Sequence, residues 1–133
     1  MRYWIACAAA GIGGFLGWFL GGMDGLVYAL ITLVIVDFIA GVMKGIAEKE
    51  LSSQICARGI FKKIMVLLLV GVANIIDIYL IRSDGSTFRS AVIFFYLANE
   101  GISILESACA LGLPVPENLK EILKQFKGKG GAE

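Results

Sequence analysis

Four carboxylates, Asp37, Asp77, Glu100 and Glu106, stand inside long apolar runs, and those runs as read from the sequence contain no Lys or Arg to pair with them. This constrains the chain more than anything else in it. An acidic side chain at the centre of a bilayer helix costs roughly 2.5–3.5 kcal/mol. Several such groups are tolerated only if they face one another, water or further copies of the chain. The apolar residues make up 58% of the sequence, against about 45–50% in soluble domains. A chain of 133 residues cannot hide that excess from water, because small domains leave much of their surface exposed. The bilayer is therefore its expected solvent.

The apolar runs predict an all-α, polytopic membrane protein with about four transmembrane helices over residues 5–20, 26–43, 64–81 and 91–113. A span needs about 20 largely apolar residues, so the first, short and glycine-rich, is the marginal one. Its position after Arg2 also fits a signal peptide, but no Ala-x-Ala-like site follows it. Residues 1–113 form the membrane region and residues 114–133 a cytoplasmic amphipathic helix with a loose tail. Pro114 and Pro116 should stop the fourth helix. Beyond them, Leu119, Ile122, Leu123 and Phe126 fall at i, i+3, i+4, i+7 and make one apolar stripe. In the connection before the third span, Ser52 or Ser53 can cap a helix.

Basic residues set the orientation. Lys44, Lys49, Arg58, Lys62 and Lys63 fall between the second and third runs; Lys120, Lys124, Lys127 and Lys129 follow the fourth, and Arg2 precedes the first. Only Arg82 and Arg89 lie on the opposite side. Cytoplasmic loops retain Lys and Arg, so both termini are expected in the cytoplasm. Lys44, Lys62, Lys63, Lys120 and Lys124 then read as topology signals that touch anionic head groups.

Two sets of residues are candidates for function. The first comprises the intramembrane polar groups Asp37, Asn74, Asp77, Asn99, Glu100, Ser103 and Glu106. Their depths, counted along the helices, bring Asp37, Asn74, Asn99 and Glu100 within about 6 Å of one level, so they can form one polar cluster. That cluster either lines an aqueous path or is a buried hydrogen-bonded network. The second set is small residues for helix packing: Gly13, Gly17 and Gly21 at four-residue spacing, together with Gly41. Such spacing lets helix backbones approach closely, either between copies or within one. No catalytic residues, cofactor or metal are expected: histidine is absent, the three cysteines are scattered, and no phosphate-cradling glycine loop follows a strand. A net charge of +1 gives no basic field for nucleic acid.

From Asp37 to about Leu123 the chain resembles the holin family of phage lysis and toxin release, found in phages and prophages of Gram-positive bacteria and in clostridial toxin loci. The resemblance rests on Asp37-x3-Gly41-x2-Lys44, Leu51-Ser52-Ser53, Gly59-x2-Lys62-Lys63 and Asp77. It continues through the run from Phe95 to Glu106 that contains Asn99-Glu100, then Gly112 to Glu117, and Leu119. Ser107 departs from the asparagine expected after the glutamate. The resemblance implies a protein that accumulates in the cytoplasmic membrane, associates with itself and opens lesions for a cell-wall hydrolase or a toxin. The polar face of the fourth span, neutral or hydrogen-bonded at rest, would then turn to water. Two other classes fit the same residues: a selective oligomeric ion channel or small transporter, and a membrane anchor whose C-terminal helix docks a cytoplasmic partner.

Overall fold

The computed structural model describes residues 2–82, 87–119, 121, 122 and 125, and all the regular structure among them is helical. Helix α1 runs Arg2–Phe19, α2 Gly25–Ala47, α3 Ser53–Ile75 and α4 Thr87–Ala110; α3 continues into π-helical turns over Ile76–Ile81. Each boundary has a local cause. The Asp24 carboxylate accepts from the Val27 amide at 3.0 Å and starts α2, and the Ser52 hydroxyl accepts from the Ile55 amide at 3.2 Å and starts α3. At the end of α1, Gly21 and Gly22 take positive φ, and the Gly22 amide returns to the Gly17 carbonyl at 2.7 Å. Gly112 closes α4 in the same way, with Leu113 donating to Ala108 at 3.0 Å. The stop therefore comes before Pro114.

Among the described residues, three helices are long and apolar enough to cross a bilayer: α2, α3 with its extension, and α4. The sequence reading counted four, and α1, at 18 residues, is not among them. Two helices also start ahead of their apolar runs. The third apolar run starts at residue 64, but its helix begins at Ser53, as the capping serines and a helix running from Gln54 into the span predict; the fourth helix, expected from 91, begins at Thr87. A lysine or arginine lowers the local hydropathy that marks a span, yet it continues a helix as well as alanine nearly does. Both stretches ahead of the runs carry such residues.

Helices α2, α3 and α4 close around Val27, Leu30, Val34, Val66, Val70 and Ile93, and Leu20, just after α1, completes this small core. Its outside is apolar. Ile39, Phe61, Leu80 and Phe95 stand 53–77% exposed, a surface stable only against lipid or other helices. Past Pro116, residues 117–119, 121, 122 and 125 are helical, and Leu119 and Ile122 are exposed. Leu123, Phe126, Lys120, Lys124, Lys127 and Lys129, which complete the expected amphipathic face, lie outside the described residues.

Candidate functional site

Polar side chains gather in two layers. In the first, the Lys63 ammonium bridges two carboxylates, at 2.6 Å from Asp37 Oδ2 and 2.9 Å from Glu100 Oε2. Ser103 sets its hydroxyl against Asp37, and the two carboxyl groups touch each other. Asp37 and Glu100 are buried. Each of the three long apolar helices supplies one charge. Lys63 follows Ser53 by ten residues, and Asp37 and Glu100 precede Ala47 and Ala110 by ten. All three therefore lie about 15 Å from the same end of the bundle.

This corrects the reading of the carboxylates as lacking a basic partner. Lys63 is one, and it reaches the layer because α3 is already ten residues old when it arrives. With every group ionised, one cation faces two carboxylates, leaving one negative charge in excess. Two clefts meet at the triad. One, of about 330 Å³, runs toward the α2–α3 connection between Lys44, Glu48, Gly59 and Glu106. The other, of about 480 Å³, opens sideways past Lys62, Tyr96 and Asn99. Asp37, Lys63 and Ser103 line both.

The second layer sits at the opposite end. Arg89, 1% exposed, donates from Nε to the Leu20 carbonyl at 2.6 Å, from Nη2 to the Gly22 carbonyl at 3.1 Å, and from both terminal nitrogens to the Asp24 carboxylate at 2.8 and 3.1 Å. Asn74 Nδ2 donates to the Trp18 and Phe19 carbonyls at 3.3 and 3.0 Å. These groups satisfy the carbonyls that the end of α1 leaves without intrahelical donors, and the guanidinium complements the negative end of that helix. Asp77 accepts from the backbone amides of Phe88 and Arg89 at 3.0 and 2.7 Å, so it caps the start of α4.

Asp37, Glu100 and Ser103 come together; Asn99 is exposed on the lateral cleft, and Glu106 is half-buried on the other. Asn74 and Asp77 do not join them, because they serve helix ends in the second layer. Within one chain a Cβ at Gly13 or Gly41 would meet nothing within 4 Å, and at Gly17 only Met23 at 3.9 Å. Gly21 is different: its Cβ would lie 2.5 Å from Arg89 Nε and from Asn74 Oδ1. Arg89, read from the sequence only as a basic residue of the outer side, and Asp24 and Gly71 are not among the predicted site residues. Gly71 leaves the space that the Phe19 ring fills. Among the described residues no group of three or more His, Cys, Asp or Glu side chains is placed to hold a metal ion.

Arg89 holds the Asp24 carboxyl below its ordinary value of 3.8. A depressed pKa means the pair adds stability above about pH 4 and loses it as pH falls through the lower, folded-state value. Both tryptophans, Trp4 and Trp18, lie on α1. Their fluorescence in micelles is expected to stay flat from pH 8 to 5 and to shift only in stronger acid; a shift near pH 6 would contradict the pairing.

The chain matches the bacteriophage holin family over residues 14–128. It is 45% identical over 123 residues to an uncharacterised protein of Listeria innocua, covering 92% of this chain and 86% of that one. An uncharacterised 14.9 kDa protein of Clostridium perfringens is 43% identical over 112 residues, 84% of each chain. A probable holin of Bacillus phage phi105 is 39% identical over 87 residues, 65% of this chain and 63% of the phage protein. No solved structure matches the chain.

Proposed function

This chain belongs to the bacteriophage holin family, and from that premise we propose that it works as a holin of a bacterial cytoplasmic membrane. Copies accumulate in the bilayer and associate with one another. They then open lesions through which a cell-wall hydrolase, or a toxin, crosses. Counting α1 as a fourth span puts both termini in the cytoplasm, in keeping with nine basic residues besides Lys63 on that side of the sequence pattern against Arg82 and Arg89 on the other.

The observation that carries the proposal is the triad of Lys63, Asp37 and Glu100 in the middle of a bundle with an apolar exterior. Buried, it holds three helices together at the level where unpaired charge is most costly. Hydrated, the same charges bear no such penalty. A bundle built this way has two environments to choose between, and association into a water-lined lesion would favour the second. The steepness of the change would come from the number of copies required.

Inducible expression in bacteria, with and without a wall hydrolase, tests this. Delayed and abrupt loss of viability, hydrolase-dependent lysis and escape of a folded cytoplasmic reporter are expected. Glu100→Gln should insert normally and shift the onset of lysis; unchanged timing and permeability would remove Glu100 from the switch. The two clefts that meet at the triad favour one other reading, a selective cation channel. Ion leakage without passage of a folded protein would decide for it.

A further inference from the structure

Helix α1 is attached to the rest of the molecule in an unusual way. None of its residues is buried. Tyr3, Trp4, Ile5, Ile12 and Phe15 are 60–86% exposed, and Gly11, Gly13 and Gly14 face open space. Its contacts concentrate at the last turn, against α3. There the Phe19 ring occupies the place of a side chain at Gly71, Asn74 holds the Trp18 and Phe19 carbonyls, and Arg89 holds Leu20 just beyond. The next two residues, Gly21 and Gly22, have φ of +87° and +101°, the region glycine enters without penalty.

The other three helices are joined quite differently. They share the Val27, Leu30, Val34, Val66, Val70 and Ile93 core and the bridging Lys63. Opening free energies differ across a structure according to the contacts each part would lose. On that basis α1 is the part that opens first.

We infer that Gly71, Asn74 and Arg89 form a latch that grips α1 by its final turn, and that α1 can leave the bundle as a rigid helix, pivoting at Gly21 and Gly22, while α2, α3 and α4 remain assembled. The inference rests on the membrane reading of the three-helix bundle and not on lesion formation. Released, α1 would add its last turn, with Trp18 and Phe19, to the length already open to other helices in the bilayer. The latch therefore controls when that surface becomes free at its docked end.

The natural cysteines allow a test in liposomes. Spin labels on Cys7 of α1 and Cys56 of α3, with Cys109→Ser, report the position of α1. Labels on Cys56 and Cys109, with Cys7→Ser, report whether α3 and α4 stay together. Phe19→Ala empties the socket and Gly71→Leu blocks it. In both variants the Cys7–Cys56 distance distribution should broaden from one narrow population to many, with the Cys56–Cys109 distribution unchanged. A Cys7–Cys56 distance that stays narrow in either variant overturns the latch, since α1 would then be held elsewhere. A Cys56–Cys109 distance that broadens alongside also overturns it, since these residues would then hold the whole bundle. Lysis is not among these readouts, so a protein that fails to form lesions can still confirm the latch.

Discussion

Lys63→Met is expected to be the most damaging single substitution in the chain, lowering stability in micelles by about 3–5 kcal/mol, the usual cost of removing one partner from a buried ion pair. The loss exceeds that of one interaction because two buried carboxylates, Asp37 and Glu100, are left facing each other with no cation. Asp37→Asn and Glu100→Gln should each cost markedly less, since either leaves a one-to-one pair with Lys63. The sharpest form of the prediction is the combination. Lys63→Met together with Asp37→Asn and Glu100→Gln removes every charge from the layer and should recover most of the loss. Urea unfolding followed by helical circular dichroism would measure all four. If the triple variant were no more stable than Lys63→Met alone, the lysine would matter for packing rather than charge.

The same lysine shows how far the sequence alone could lead. The carboxylates at Asp37 and Glu100 were legible as unusual, and their common depth was legible from helical rise. Their cation was not, for a physical reason. Lys63 directly precedes the apolar run from Ile64, and a charge at the edge of such a run reads as the edge of the membrane. The helix itself had begun at Ser53, where the hydroxyl cap announced it. Arg89 was hidden in the same way, two residues before Ala91. Asn74 was expected at one level with Asp37 and Glu100, yet it stands eleven residues beyond Lys63 on α3, about 16 Å along the helix, where it holds the end of α1. Asp77 turned out to bind the first amides of α4, a role that depends on how α3 returns into α4. The glycine spacing of α1 was plain in the sequence, whereas the seat of Phe19 on Gly71 joins residues far apart in the chain and needs the fold to be seen.

The second large effect is expected at Arg89. Its guanidinium spreads over three acceptor groups, the Leu20 and Gly22 carbonyls and the Asp24 carboxylate. Asp24 is half-exposed and can be rehydrated when its partner is lost, so the cost is below that of a wholly buried pair. Hydrogen bonds to charged groups are worth about 1.5–3 kcal/mol, and Arg89→Ala should lose an amount in that range. Arg89→Lys is the more telling variant. An ammonium keeps the charge but is a compact donor without the planar fork, and it cannot span acceptors arranged on two sides of the guanidinium. Less than half of the loss should therefore be recovered. The location of the loss is also specified. Because Trp4 and Trp18 both lie on α1, the fluorescence transition follows that helix, while circular dichroism follows all four. In Arg89→Lys the fluorescence transition should move to lower denaturant and separate from the dichroism transition, which should move little. Two transitions that shift together would mean that Arg89 stabilises the bundle as one unit, and full recovery by lysine would mean that charge alone, not the fork geometry, holds the end of α1.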